Sequence, residues 1–414
     1  MTSRMAVASL TVLAMQASPP QQQVPIRSGV ELVRIDVQIT SRNGQPAENL
    51  RADQFEVNID GKVRPVVTID LVKYNTTTNA AGSTPGTAGS PVASASSTAT
   101  PAEPRVLILA IDETSFMATT RQAPVELVTR LAAMADARDL IGLISFPAPG
   151  IVFSPSLDRA ALLEAAKKID GRLQLPRNSR ISMSLAEAVD WATDPDYRAR
   201  VLTRECGSPA ACPANPCGCD VEMQATEIVG TFQMQASMSV AGLKSVLGMV
   251  KAYPGRKTLI VASAGFVASD RMGSIGRATS RPPDITFEAD MMGKRAAEAN
   301  AVIYSLHMDV SFLYAFSAAS GGRELQTVFR NSQMLARGLE QFTGSAGGST
   351  IAVHAGPDPA LKRLLTETSA YYLLGVEPLA EHRDGNVHRI TVKVKQGGTQ
   401  VRARSSVLIP KVPQ

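Results

Sequence analysis

The stretch Val106-Leu107-Ile108-Leu109-Ala110-Ile111, followed by Asp112-Glu113-Thr114-Ser115, decides the fold of this chain. Its consecutive apolar residues predict a strand that is buried on both faces, which is typical of parallel sheets. The polar residues after it should lie at the carboxyl edge of the sheet, where open α/β sheets bind ligands. The sequence therefore indicates where a functional site should be found.

Apolar strands alternate with helical patterns from residue 105 to residue 369. Further strands are predicted at 140–146, 258–261, 301–304 and 349–353, and helices near 119–136, 158–169, 182–192, 286–299, 332–342 and 358–369. A longer helix is predicted to end near Tyr253, because Leu243, Val246, Leu247 and Val250 form a core-facing stripe. This series predicts an α/β domain with a mostly parallel sheet and helices on both faces.

Both ends of the chain have the alternating pattern of β-structure. Residues 24–74 contain a strong hairpin signal at Asp60-Gly61, and residues 370–410 contain a turn signal at Gly397-Gly398. Each segment is too small to be stable alone, so we expect both to form one sandwich-like all-β domain into which 105–369 is inserted. Residues 75–104 are almost entirely small or polar and predict a disordered linker.

The first residues match a secretory signal. Arg4 precedes a short apolar stretch that ends in small residues, so residues 1–17 are predicted to be a signal peptide. We expect no transmembrane segment in the mature chain, because no other apolar run is long enough to span a bilayer. The net charge is only +5, which does not favour nucleic acid as a partner. The expected location is the periplasm, the cell envelope or the extracellular space.

All four cysteines, Cys206, Cys212, Cys217 and Cys219, fall in the segment 193–222, which we interpret as an insertion. An even count in an exported protein favours two disulfides that hold a loop. A four-thiolate zinc site and free thiols are the alternatives, although the spacing lacks the paired knuckles of zinc sites. The connectivity cannot be deduced from the sequence.

The sequence contains no common catalytic signature. It has no P-loop, no His-Glu-x-x-His, no Gly-x-Ser-x-Gly and no Gly-x-Gly-x-x-Gly, so we expect no enzymatic activity. His307 and Asp309 follow a strand at the expected ligand edge, where one reading is an acid–base role and the favoured one is a loop histidine with a helix-capping aspartate. Asp270 and Arg271 lie in a long polar loop at the same edge and are candidates for binding a partner.

Several short motifs occur in the order and spacing of a known family. They are Asp53-Gln54-Phe55-Glu56-Val57, Asp60-Gly61-Lys62, Pro254-Gly255-Arg256-Lys257-Thr258-Leu259-Ile260, Gly265-Phe266, Tyr372-Leu373-Leu374-Gly375 and Val401-Arg402-Ala403-Arg404. From about residue 30 to residue 407 the chain resembles the bacterial VWFA-related proteins, a branch of the von Willebrand factor type A fold. The resemblance implies a Rossmann-like sheet and a metal-ion-dependent adhesion site.

The resemblance carries over to the metal site only in part. Asp112 matches the first ligand, Thr114 matches the first hydroxyl, and Ser182 or Ser184 could supply a later hydroxyl. Phe116 and Ala264 stand where the family has a serine and an aspartate. We therefore expect a degenerate site that is either a relict or binds Mg²⁺ or Ca²⁺ weakly. We expect Asp112 to face an open cleft.

The resemblance implies a non-catalytic module for protein binding or adhesion. The partner would contact the carboxyl edge of the α/β sheet, with Glu113 and Ser115 as further contact candidates. Two alternatives remain. One is a structural or assembly protein of the envelope without metal function. The other is a hydrolase that uses Asp112 and His307, for which the sequence shows no nucleophile–base pair.

Overall fold

A computed structural model describes residues 32–74, 104–148, 150–173, 181–268, 285–309, 325–354 and 356–411. The predicted signal peptide, nearly all of the predicted linker, and Asp270 and Arg271 lie outside these residues. Within them, no helix has both the length and the apolar character that a membrane span requires.

The strands lie near their predicted positions, and we number them in chain order. They are β1 Val33–Ser41, β2 Phe55–Ile59, β3 Lys62–Arg64, β4 Val66–Lys73, β5 Val106–Asp112, β6 Leu140–Phe146, β7 Val152–Ser156, β8 Lys257–Ser263, β9 Ala301–Met308, β10 Thr350–Val353, β11 Ala370–Val376, β12 Val387–Val394, β13 Thr399–Ala403 and β14 Ser406–Leu408.

The helices alternate with the central strands. They are α1 Gln122–Met134, α2 Arg159–Ala166, α3 Leu185–Thr193, α4 Pro195–Cys206, α5 Pro216–Val250, α6 Thr286–Glu298, α7 Leu325–Ser345 and α8 Asp358–Glu367. The sequence did not predict α4. Its start is well marked, because Asp194 accepts hydrogen bonds from two backbone N–H groups and Pro195 follows at the first helical position.

The central sheet has the order β10-β9-β8-β5-β6-β7. All its neighbouring strands are parallel except β7, which is antiparallel to β6. All residues of β5 are buried, as the apolar run predicts, because helices cover both faces of the sheet. One core packs α5, α6 and α7 against the sheet, and the other packs α1, α2 and α8. The protein is therefore a mixed α/β structure with a mostly parallel sheet.

Strands from both chain ends form two separate antiparallel sheets. Their orders are β13-β1-β11-β4 and β14-β12-β2-β3, and one apolar core lies between them. The turn at Asp60-Gly61 joins β2 to β3 with positive φ at both residues, as the hairpin signal predicts. The strands on either side of Gly397-Gly398 do not form a hairpin, because β12 pairs with β2 and β13 pairs with β1.

The antiparallel part and the α/β part are joined by a buried cluster of charges. Asp36 of β1 accepts a hydrogen bond of 2.9 Å from Nε of Arg256, the residue before β8. A second guanidinium, that of Arg404, lies 3.7 Å from the same carboxylate. The Arg256 guanidinium also stacks on the ring of Tyr371 at 4.2 Å. Burial disfavours the charge of Arg256, but the nearby Asp36 carboxylate keeps the pKa of Arg256 above the usual value for an arginine.

His388 of β12 is hydrogen-bonded to the β2–β3 turn. The Nδ1 and Nε2 atoms of His388 lie 2.7 Å from Asp60 and 2.9 Å from Asp384, respectively. Burial opposes the charged ring, but hydrogen bonds to both carboxylates raise the pKa of His388 above its ordinary value. The same contacts help to lower the pKa values of Asp60 and Asp384. The imidazolium form therefore stabilises this corner.

The cysteine segment is mostly helical and not a loop. Cys206 ends α4 and is bonded to Cys217 in the first turn of α5, while Cys212 is bonded to Cys219. The two disulfides agree with the even cysteine count, and they leave no free thiol for zinc. Together they fasten the connection between α4 and α5.

Candidate functional site

The carboxyl ends of three neighbouring strands bring polar residues together. Asp112 ends β5, Ser263 ends β8 and His307 lies near the end of β9, and these strands are adjacent in the parallel sheet. Parallel strands end at the same edge, so this arrangement follows from the fold. The candidate site predicted from the sequence lies at this edge.

Asp112 is the centre of a hydrogen-bond network. Its Oδ1 accepts bonds from the Thr114 backbone N–H at 3.2 Å and from the Thr114 hydroxyl at 2.6 Å. Its Oδ2 accepts bonds from the hydroxyl of Ser239 at 2.7 Å and from that of Ser263 at 2.9 Å. Each carboxylate oxygen of Asp112 thus accepts two hydrogen bonds from the protein itself.

The Asp112 carboxyl is completely buried, with 0% of its surface exposed. Burial raises its pKa, because a charge is less stable away from water, while the bonds from Thr114, Ser239 and Ser263 act in the opposite direction. The expectation that Asp112 faces an open cleft is therefore corrected. The chain closes over it, because the two loops after β5 and β8 bond to each other.

Ser115 makes this closure possible. Its hydroxyl donates to the carbonyl of Asp112 at 2.9 Å and accepts the backbone N–H of Ala264 at 2.9 Å. On the β8 side, the Gly265 N–H donates to the Ser263 hydroxyl at 3.0 Å. Only 1% of Ser115 is exposed, so this predicted contact residue lies inside the protein and not on an open surface.

Glu113, the other predicted contact residue at this edge, is also buried. Its carboxylate lies 2.9 Å from the Arg172 guanidinium, and its backbone carbonyl accepts the Arg172 N–H at 2.6 Å. The N–H of Leu173 donates to the Phe116 carbonyl at 3.0 Å. The chain around Arg172 therefore covers the loop that follows β5.

Ser182 and Ser184 have other roles than the predicted one. Ser184 begins α3 with a capping box, in which its hydroxyl accepts the Glu187 N–H and its own N–H donates to the Glu187 carboxylate. Ser182 is exposed, and its N–H donates to Glu205. Within the described part of the chain, no hydrogen bond joins either serine to Asp112.

The hydroxyl of Ser239, on the long helix α5, was missed by the sequence analysis. It lies 3.0 Å from that of Thr114 as well as within bonding distance of Asp112. A signal for it was present, since Ser239 lies four residues before Leu243 and seven before Val246. It is a polar residue on an apolar, buried stripe, and such a residue requires a hydrogen-bonding partner.

His307 also has an internal partner. Its Nε2 lies 3.1 Å from the carbonyl of Ala264, so this nitrogen carries the proton and donates it. Burial lowers the pKa of His307, and nearby Asp309 opposes this effect only in part. Asp309 itself accepts a hydrogen bond from Ser332 at 2.7 Å. The neutral ring thus extends the network from β8 to β9.

The donor set around Asp112 does not fit a divalent cation. It contains one carboxylate and three hydroxyls, whereas hard cations require several free oxygen ligands. Phe116 is buried in the apolar core and offers no hydroxyl, and Ala264 offers no carboxylate. In the part of the chain that the structure describes, no group of three His, Cys, Asp or Glu residues is arranged to hold a metal.

Comparisons with known proteins add little to this geometry. No protein-family profile matches the chain, and no curated protein matches it either. A solved structure of an aerotolerance-related membrane protein from Bacteroides fragilis, with multiple mutations to serines, matches at 12% sequence identity and a TM-score of 0.29. The match covers 64% of this chain and 98% of that chain. A likeness at this level supports no argument about function.

Proposed function

We propose that this chain is an exported, non-catalytic protein-binding module whose α/β domain is of the von Willebrand A type. In this proposal the position of the adhesion metal is occupied by a hydrogen-bonded lock formed by Asp112, Thr114, Ser239 and Ser263. The observation that carries the proposal is that both oxygens of the buried Asp112 carboxylate already accept hydrogen bonds from protein groups. Partner binding would then be independent of divalent metal.

Two further features support the proposal. The network joins the loops after β5 and β8 to each other, so it can hold a binding edge in a fixed shape without an ion. The two disulfides are typical of proteins in an oxidising compartment, which supports export to the periplasm, the envelope or the extracellular space.

The alternatives predict different chemistry. A structural or assembly role in the envelope has the same locked site but requires no separate partner. A hydrolase would require a free base near a nucleophile, and His307 uses its protonated nitrogen to hold the Ala264 carbonyl. We therefore favour binding over catalysis.

A thermal-unfolding experiment with Mg²⁺ and Ca²⁺ tests the lock. A site with a dissociation constant of about 0.1 mM would stabilise the protein by about 2.7 kcal/mol at 10 mM metal. We expect no metal-dependent change in melting temperature for the wild-type protein or for Asp112→Asn. Asp112→Asn should itself lower the melting temperature, because the amide cannot accept all four bonds.

The matched control is Asp196→Asn, which removes an exposed carboxylate on α4. Metal stabilisation that is present in the wild type and in this control, but lost in Asp112→Asn, would refute the lock.

A pull-down tests the binding function itself. Tagged, disulfide-bonded protein is incubated with cell-envelope extract in Mg²⁺ or in EDTA, and the bound proteins are compared by mass spectrometry. We expect the same specific proteins in both buffers. Release of the partner by EDTA contradicts a metal-free site, and recovery of only the chain itself favours the structural alternative.

A further inference from the structure

The outer strand of the central sheet has an open edge. Strand β7 is the last strand of the sheet and pairs with β6 only, among the residues that the structure describes. Val152 in this strand is 57% exposed, and Leu157 directly after it is 55% exposed. Unpaired edges with exposed apolar side chains tend to pair with another strand.

The register identifies the backbone groups that face outward. The Ser145 N–H donates to the Ile151 carbonyl at 2.8 Å, so Ile151 faces β6. Backbone groups alternate in direction along a strand, so those of Phe153 also face β6, and those of Val152 and the N–H of Ser154 face away from it. The register with β6 shifts after Phe153 and Pro155 has no N–H, so the regular part of the edge ends at Ser154. The close approach of the Phe153 carbonyl to Gly142 of β6 agrees with this assignment.

A groove runs beside this edge, with a volume of about 680 Å³. One wall is the strand, from Gly150 to Phe153, and the other is one face of α2 and the turn after it. That wall carries Ala161, Glu164 and Ala165 on α2 and Lys168 in the turn after it. It thus combines small residues, which permit close approach, with one acidic and one basic residue a turn apart.

We propose that this edge is a dimer interface, in which β7 of a second copy of the chain pairs antiparallel with β7 around a two-fold axis. Phe153 lies on the axis, so Val152 faces Ser154 of the second copy and Ser154 faces Val152 of the second copy. Because the Ser154 N–H and the Val152 carbonyl face outward, this register makes about two backbone hydrogen bonds, one from each Ser154 N–H to the Val152 carbonyl of the other copy. The two central sheets become one continuous sheet.

The charges on α2 and the turn after it fit the same symmetry. A two-fold axis beside the strand places the two α2 helices antiparallel across the joined groove. Glu164 of one copy then lies opposite Lys168 of the other, and the pair occurs twice. In the isolated chain, Glu164 pairs with Lys167, the residue after α2, and both side chains are well exposed, so Glu164 can turn towards a second copy. This complementarity favours a second copy over an unrelated strand.

Charge-reversal variants in analytical ultracentrifugation test the pairing. We expect the wild-type chain to dimerise with a dissociation constant on the order of micromolar, because the interface is small. Lys168→Glu should weaken the dimer about tenfold, since two attractive pairs become repulsive. Glu164→Lys combined with Lys168→Glu should restore it, because the opposite charges face each other again. Lys362→Glu, the same change at an exposed position of α8, should leave the dimer unaltered.

Cysteine cross-linking tests the register. Residues that face each other in a non-hydrogen-bonded antiparallel pair have Cα atoms about 4.5 Å apart, within disulfide range. Under mild oxidation, Phe153→Cys should give a covalent dimer on a non-reducing gel. Val152→Cys should give far less, because Val152 does not face itself. Circular dichroism confirms that each variant is folded.

The proposal is overturned if the wild type stays monomeric at about 200 µM, or if a dimer forms that neither responds to Lys168→Glu nor cross-links through Phe153→Cys. These results do not affect the proposed lock at Asp112, because the edge lies outside that network. Conversely, metal binding at Asp112 would leave the dimer prediction intact.

Discussion

Asp36 should contribute more to stability than its position on an antiparallel strand suggests. Its carboxylate is the acidic partner of two buried guanidiniums, those of Arg256 and Arg404. The substitution Asp36→Asn keeps the size of the side chain and removes only the charge. It leaves two buried cations without a counter-charge, and breaking a buried ion pair in this way costs about 3–5 kcal/mol. An exposed ion pair contributes only about 0–1 kcal/mol.

The assay is urea unfolding followed by two signals. Far-UV circular dichroism reports the whole chain, while fluorescence of Trp191, the single tryptophan, reports α3 in the α/β part. Because Asp36 joins β1 to the segment before β8, we expect Asp36→Asn to shift both transitions. The control is Asp53→Asn, whose carboxylate is 68% exposed and pairs with Arg51. It should change the free energy of unfolding by less than about 1 kcal/mol.

A double-mutant cycle isolates the interaction. Arg256→Met in the Asp36→Asn background should recover part of the lost stability, because it removes one unpaired buried charge. The reasoning is refuted if Asp36→Asn costs no more than the control, or if only the circular-dichroism transition moves and Trp191 does not respond.

Three further predictions concern other parts of the molecule. Replacing Cys206 and Cys217 with serine should lower the free energy of unfolding by about 2–3 kcal/mol, because the disulfide closes a short loop, and peptide mapping should recover the second disulfide unchanged. His388→Gln should lower the melting temperature more at pH 5.5 than at pH 8.5. The raised pKa of His388 gives stability that is fully present below pH ~6.5 and is lost as the pH rises through the histidine pKa of the folded state. The lowered pKa values of Asp60 and Asp384 keep both carboxylates charged at pH 5.5. Equal losses at both pH values would contradict this. Gly338→Ala should destabilise α7, because the new Cβ would lie 2.4 Å from the Phe266 carbonyl oxygen. A Cβ at Gly344 of the same helix would meet nothing within 4 Å, so Gly344→Ala should stabilise the protein by about 0.5–1 kcal/mol. Chemical denaturation of both variants measures the two effects.

The position of the candidate site was predictable, but its chemistry was not. The run that ends at Ile111 fixes a buried strand, and a buried parallel strand must end at the ligand edge. Asp112 and Thr114 were therefore expected at that edge, and in the structure the Thr114 hydroxyl donates a hydrogen bond to Asp112. The role of Ser184 was not predictable, because a serine before a helix fits a capping box as well as it fits a metal ligand.

The pairing of the outer strands was only partly predictable. The alternation of apolar and polar residues predicted the strands of both chain ends. Gly397-Gly398 predicted a hairpin, but β12 and β13 on either side of it belong to different sheets. Turn residues specify a local reversal of the chain, whereas strand partners depend on which apolar faces meet in the core. Helix α4 was missed because the cysteine-rich segment lacks an apolar periodicity, and its local signals are confined to its ends, such as Asp194 and Pro195 at its start.

The sequence by itself determined the alternating strand–helix order, the buried central strand and the edge at which polar residues collect, because periodicity and local turn chemistry act over a few residues. Only the tertiary structure decided that Ser239 of α5 and Ser263 of β8 reach Asp112 across 127 and 151 residues of chain. It also decided that the carboxylate is buried among hydroxyls and not open to solvent. Such contacts arise when distant elements pack on the same sheet, and no local pattern specifies them.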